Sequence, residues 1–471
     1  MEILEKVLEI SLKEGADYCD VRRVINQEEE IRVRGSVPEK VSSKRDQGFG
    51  VRVLHSGAWG FAAGQVPEAV AAQAVKVARA SALAKKEDIV LADLEPSTDS
   101  WEPAIRKDPF SVPIEEKIAL LLDCSKALAE PDDVKVSQAS MKSRQQEKWF
   151  FSSEGARIHQ KIVFCGAGIA ATAIRGGEMQ KRSYPAPFDG DFSQQGYEFV
   201  ESLHLFDHCQ KTAEEAIVLL EAPNCPVGKQ DIVLDSSQLA LQVHESCGHP
   251  TELDRVMGYE ASFAGTSFLT PEKVGNFVYG SPHVTIVADS TVDTGLGTFG
   301  YDDEGVKACR TILVDKGIFS GYLTSRETAH MMGERSNGAM RATDFNFMPL
   351  IRMTNINLMP GDFTFEELLE DIKEGIYMET NRSWSIDDKR INFQFGCEIG
   401  QRIEHGELTE IFRNPSYTAL TPEFWGSCDA VSKTWHLWGI PNCGKGEPSQ
   451  TMFVGHGTAP ARFRGIQVGV G

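Results

Sequence analysis

Residues 244–249 read His-Glu-Ser-Cys-Gly-His. Two imidazoles and a carboxylate within six positions suit metal-assisted hydrolysis. Borderline-soft nitrogen ligands such as His244 and His249 favour zinc. Glu245, directly after a ligand, would take a proton from water that the ion has acidified. The segment continues Ser-Ser-Gln-Leu-Ala-Leu-Gln-Val (236–243), which reads as a helix. On a straight α-helix, residues five apart lie about 140° apart around the axis, against about 40° for the i,i+4 pair of the familiar zinc helix. Ligands on such different faces do not converge. Pro250 disfavours helical backbone at His249, and Gly248 accepts almost any backbone angle. The helix is therefore expected to end at about Cys247, with His249 folding back toward His244.

The spacing alone leaves the third ligand open. Glu252 and Asp254 are near in sequence, and Cys443 lies far downstream in Pro-Asn-Cys-Gly-Lys-Gly-Glu-Pro. That context predicts an exposed, mobile loop, with Lys445 favouring the Cys443 thiolate. Cys247 reads as a packing residue, although a ligand or nucleophile is also conceivable there. The acidic run Asp302, Asp303 and Glu304 is a candidate receiver of a peptide amine or a second cation; a solvated turn is the simpler expectation. Arg341, with Arg326 and Arg335, is a candidate clamp for a substrate carboxylate, against a default of a charged surface loop. Trp425, Trp435 and Trp438 suit a peptide pocket, an interface or plain packing. Gly295-x-Gly297-x-x-Gly300 is discounted as a dinucleotide fingerprint, because no helix start follows it.

These residues need a scaffold. Periodicity predicts helices over 2–14, 67–85 and from about 113, a helical stretch at about 192–220, and a helix from Phe365 to Tyr377. Ser56-Gly57, Glu154-Gly155, Asp315-Lys316-Gly317 and Glu404-His405-Gly406 mark turns between strands. The mixed order implies an α+β fold. An N-terminal α/β domain (1–222) is followed by a strand-rich C-terminal domain (223–471) that carries the metal helix. The chain has 471 residues, enough for a large core, and its formal charge of −20 argues against a nucleic-acid partner. No apolar run suits a membrane span, and the acidic start lacks the features of a secretory signal. Ten scattered cysteines without framework spacing suggest a reducing, cytoplasmic setting.

The chain resembles the TldD/PmbA (TldE) zinc metallopeptidase family over nearly its whole length, and in particular the members that keep the metal motif. The resemblance is carried by Gly48–Ala63 (GFGVRVLHSGAWGFAA), by the His-Glu-x-x-x-His segment with Glu252 and Asp254, and by Tyr301-Asp302-Asp303-Glu304-Gly305. It continues through Arg352-Met353-Thr354-Asn355, the Ile376-Tyr377 helix end and Cys443-Gly444-Lys445. It implies a peptidase for unfolded or extended peptides with one Zn2+ per catalytic subunit. His244, His249 and Cys443 would be the ligands and Glu245 the base. It also implies a dimer, as a homodimer or a heterodimer with a PmbA/TldE-like sister that lacks the motif. His456 has no confident counterpart and is expected at the surface. Two other readings remain: a metal-independent hydrolase using Cys443 or Cys247, and a non-catalytic scaffold with a structural zinc.

Overall fold

The computed structural model describes residues 1–469. Eight strands form the first sheet: β1 (Tyr18–Arg34), β2 (Val37–His55), β3 (Ala58–Gly64), β4 (Thr98–Trp101), β5 (Val134–Ser152), β6 (Arg157–Arg175), β7 (Glu178–Tyr184) and β8 (Asp191–Ser193). Their order is β3-β2-β1-β5-β6-β4, with β7 and β8 also on β6. All pair antiparallel except β4 with β6. The turns at Ser56-Gly57 and Glu154-Gly155 connect β2 to β3 and β5 to β6, as expected.

Alternation along the strands divides the labour of the two faces. Of the odd-numbered residues of β1, Cys19, Val21, Ile31 and Val33 are apolar and buried beneath the helices Glu2–Lys13, Pro67–Ala82, Ile114–Leu128 and Cys209–Glu221. Even-numbered residues on the other face are polar yet buried: Asp20, Arg22 and Asn26 on β1, Arg144 and Lys148 on β5. That face is covered by the second half of the chain. Arg22 donates to the Phe347 carbonyl at 2.6 Å and Arg144 to the Thr343 carbonyl at 2.9 Å.

The second half is built on a seven-stranded sheet. It runs Glu374–Ile386, Gly228–Leu234, Ala461–Val468, Ser416–Leu420, Asn392–Glu404 and Glu407–Phe412, with Cys428–Val431 beside Ala461–Val468. A smaller four-stranded sheet and two two-stranded ones, Met340–Arg341/Leu350–Ile351 and the hairpin His436–Lys445/Gln450–Thr458, complete the sheets of this half among the described residues. Its large core gathers Val243 and Cys247 of the metal-site segment with Tyr279, Met353 and Trp425. The fold is thus mixed α and β, with strands dominating the second half.

Two helices are shorter than periodicity suggests. Phe365–Leu369 is helical, held by a Thr364–Glu367 capping box, but Glu374 to Tyr377 already belong to a strand that pairs with Asp231–Leu234. The expected helical stretch at 192–220 is interrupted: Asp191–Ser193 is a strand, and Glu198–Ser202 and Cys209–Glu221 are separate helices. In both places long-range strand pairing overrides local propensity.

The halves are joined by charge as well as by packing. Arg182 on β7 donates to Glu215 at 2.8 Å and also pairs with Glu379 and Glu398 of the seven-stranded sheet. Removing the guanidinium leaves three partly or fully buried carboxylates facing one another. Arg182→Gln is expected to lower stability by about 3–5 kcal/mol in chemical denaturation.

Candidate metal centre

The helix Ser236–Val243 does not stop at Cys247. Asp235 caps its start by accepting from the Ser237 amide at 2.7 Å. Helical backbone then continues as a π turn over His244–Gly248 and a 3-10 turn over His249–Thr251. Gly248 has φ −56° and His249 φ −61°, both right-handed. The expected break is therefore absent. In its place, the His249 amide donates to the His244 carbonyl, an i→i+5 bond that inserts one extra residue into the turn. That extra residue brings the fifth position back over the first. The imidazole centroids of His244 and His249 lie 4.8 Å apart. Gly248 is needed for space and not for backbone freedom: a Cβ there would sit 2.0 Å from Met353 Sδ.

Cys443 lies on the strand His436–Lys445 and is buried, not on a mobile loop. Its Sγ is 3.9 Å from His249 Nε2, and ligand atoms of His244, His249 and Cys443 all fall within 4.8 Å of one another. Zinc bonds of ordinary length to a thiolate and an imidazole at tetrahedral angles would set the sulfur and nitrogen about 3.5 Å apart. Among the described residues this is a three-ligand group, and the donor set suits a divalent ion with one vertex left open.

The hydrogen bonds also fix which nitrogens are free. His456 Nδ1 lies 3.2 Å from the Ile356 carbonyl, which can only accept, so Nδ1 carries the proton. The unprotonated His456 Nε2 then accepts from His244 Nδ1 at 2.8 Å. By the same logic His249 Nδ1 donates to Glu252 Oε2 at 2.9 Å. Both ligand residues thus keep an Nε2 lone pair for an ion. Burial lowers the pKa of all three imidazoles, which keeps them neutral at pH 7. For the Cys443 thiol, burial acts against ionisation, but Arg352 and His249 outweigh it and lower the pKa.

Several expectations change at this point. Lys445 does not serve the thiolate; its Nζ donates to Asp254 at 2.7 and 2.9 Å and to the Ile351 carbonyl at 2.8 Å. Arg352 takes that role, and its guanidinium also bonds the carbonyls of Cys443 and Gln450 across the hairpin at 2.5 and 3.1 Å. His456 is fully buried, not at the surface. It pairs with Trp438 across the hairpin. Cys247 packs in the core, and burial pushes its thiol up to about 12, unlike a nucleophile. Trp425 is buried, and its indole donates to Ser246 Oγ at 3.0 Å, bracing the π turn.

Glu245 is buried and ion-paired through Oε2 with Arg390. Arg390 sits in the turn between Glu374–Ile386 and Asn392–Glu404, with a positive φ of 64°. Nothing local in the sequence links two residues 145 positions apart.

The acidic run is not a solvated turn and is not available to a peptide amine. Asp302 accepts from the amides of Glu304, Val306 and Met340, Asp303 from Lys148 at 2.5 Å and from the Ala342 amide, and Glu304 from Arg52 at 3.2 Å and the Arg326 amide. It locks the second half onto the polar face of the first sheet. Arg326 is likewise buried and paired with Glu154 at 2.7 Å, whereas Arg335 is exposed. Arg341 is buried, with one hydrogen bond among the described residues, to the Met353 carbonyl.

Three family models match the chain: PmbA/TldA metallopeptidase domain 1 at residues 19–82, the central domain at 107–220 and the C-terminal domain at 227–470. A Methanocaldococcus jannaschii metalloprotease is 32% identical over 97% of each chain. A Saccharolobus solfataricus zinc metalloprotease TldD homolog is 25% identical over 97% of each. Among solved structures, a Thermotoga maritima protein proposed as a modulator of a DNA gyrase superposes with TM-score 0.79 at 18% identity, covering 99% of both chains. TldE from Thermococcus kodakarensis superposes with TM-score 0.73 at 16% identity, covering 99% of this chain and all of its own.

The His456–His244 bond generates a test. Replacing His456 with Phe keeps the ring volume and removes the acceptor that orients His244. Zinc affinity, read by competition with a chelating dye, is expected to fall about 10–100-fold while the fold is retained.

Proposed function

The chain belongs to the PmbA/TldA metallopeptidase family, and from that premise we propose that it is a zinc-dependent peptidase that hydrolyses unfolded or extended peptides. The observation that carries this reading is the convergence of His244, His249 and Cys443 with both Nδ1 positions already engaged. Three protein ligands favour a catalytic ion over a structural one, which normally has four.

His244, His249 and Cys443 hold one zinc per catalytic subunit. When bound, the ion polarises the scissile carbonyl and lowers the pKa of water toward neutrality. Glu245 accepts the proton of the attacking water and returns it to the leaving amine. The ion pair with Arg390 limits the rotation of the Glu245 carboxylate, so Arg390 is a positioning residue. Cys443 lies on a sheet of only two strands, and an extended peptide is proposed to add to an edge of that sheet away from the Cys443 carbonyl, which Arg352 holds. Such pairing reads main chain more than side chains, and a folded protein does not offer it.

The chain is proposed to act as a dimer, with a second copy or with a PmbA/TldE-like sister subunit. A cytoplasmic location is supported by ten cysteines that are all unpaired. Among the described residues, no helix is long and apolar enough to cross a membrane.

Glu245→Gln separates catalysis from metal holding. Zinc content is expected to stay at the wild-type level while peptide turnover falls by about 10²–10⁴-fold. A chelator should abolish wild-type turnover and added zinc should restore it. Unchanged turnover in the variant contradicts the assigned base. Turnover that survives chelation but not thiol alkylation would point to Cys443 as a nucleophile.

A further inference from the structure

Arg341 stands apart from the other buried cations around the interface of the two halves. Lys148 is neutralised by Asp303 at 2.5 Å, Arg52 by Asp20 at 2.7 Å and Arg144 by Glu28 at 3.1 Å. Arg341 is 7% exposed, and among the described residues no carboxylate lies within 4 Å of it. Its Nη1 donates to the Met353 carbonyl at 2.6 Å, and its Nε and Nη2 have no protein partner among the described residues. A guanidinium that is largely withdrawn from solvent and keeps donors without a protein partner can receive an anion at those donors.

The side chain forms part of the wall of a small, partly open cavity. Phe164, Leu296, Phe299 and Phe453 supply apolar walls, and the guanidinium lies over the Phe299 ring at 5.3 Å. Asp302 and Asp303 also border the space, but their oxygens are taken by backbone amides and Lys148. Burial and the neighbouring Glu304 carboxylate both raise the pKa of Asp302.

The cavity adjoins the metal centre. Met452, another wall residue, is the cross-strand partner of Cys443. Met353, whose carbonyl Arg341 holds, packs against Gly248 between the two histidines.

We propose that this cavity is a substrate subsite in which Arg341 binds a peptide carboxylate carried on an apolar stem, either an acidic side chain or the C-terminus. The assignment rests on the peptidase reading for its purpose and on the unpaired guanidinium for its chemistry.

Fluorescence anisotropy on full-length, zinc-loaded Glu245→Gln protein tests it with three labelled alanine-rich peptides. One has a single Glu and an amidated end, the second replaces that Glu with Gln, and the third is the Gln peptide with a free C-terminal carboxylate. At least one carboxylate peptide is expected to bind roughly tenfold more tightly than the neutral one. Comparing the first and third peptides identifies the source of the carboxylate. Arg341→Gln in the same background should erase the ratio, whereas Arg341→Lys, which keeps the charge, should retain most of it. Equal binding of all three peptides, or a preference that survives Arg341→Gln, overturns the subsite. Turnover of the neutral peptide by wild-type protein judges the peptidase reading separately: no turnover with an intact binding ratio contradicts the peptidase and not the subsite.

Discussion

One backbone hydrogen bond sets the geometry of the candidate centre: the His249 amide to the His244 carbonyl, across five residues. An α-helical bond to the fourth residue would send the two imidazoles to different faces. The wider turn brings them together edge to face, at the expense of poorer packing inside the helix. The surroundings supply what the turn lacks. Trp425 and Tyr279 bond Ser246, and Thr251 Oγ1 returns to the carbonyls of Cys247 and Gly248. Met353 fills the space that only glycine leaves open at position 248.

Around that turn, each nearby buried polar group orients the next. Ile356 fixes the tautomer of His456, His456 that of His244, and Glu252 that of His249. Arg352 spans the hairpin, so the position of Cys443 depends on a residue more than ninety positions earlier. The same logic operates at larger scale. The polar face of the first sheet, with Arg22, Arg52 and Lys148, receives the acidic run at 302–304 and seats the second half of the chain.

Much of this was legible in the residues. The residues that converge at the centre, the mixed fold and most turns follow from spacing, residue type and family resemblance. Other parts were not, and for physical reasons. Rotation arithmetic for a straight helix correctly showed that His244 and His249 could not meet on one. It could not choose between a broken helix and a widened one, because that choice is made by packing against Met353 and Trp425. Local composition made 443 a loop and 456 a surface position, yet both lie on a hairpin buried by distant strands. The acidic run read as solvated because its partners, Arg22, Arg52 and Lys148, lie on strands more than 150 residues earlier. Arg390 gave no local signal at all.

The central claim is that one cysteine and two histidines share a single zinc ion. X-ray absorption at the zinc edge on the purified protein tests it most directly. The account predicts one sulfur neighbour at about 2.3 Å together with nitrogen or oxygen neighbours at about 2.0–2.1 Å that include imidazole scattering. A zinc shell without sulfur, or with two or more sulfurs, would contradict it.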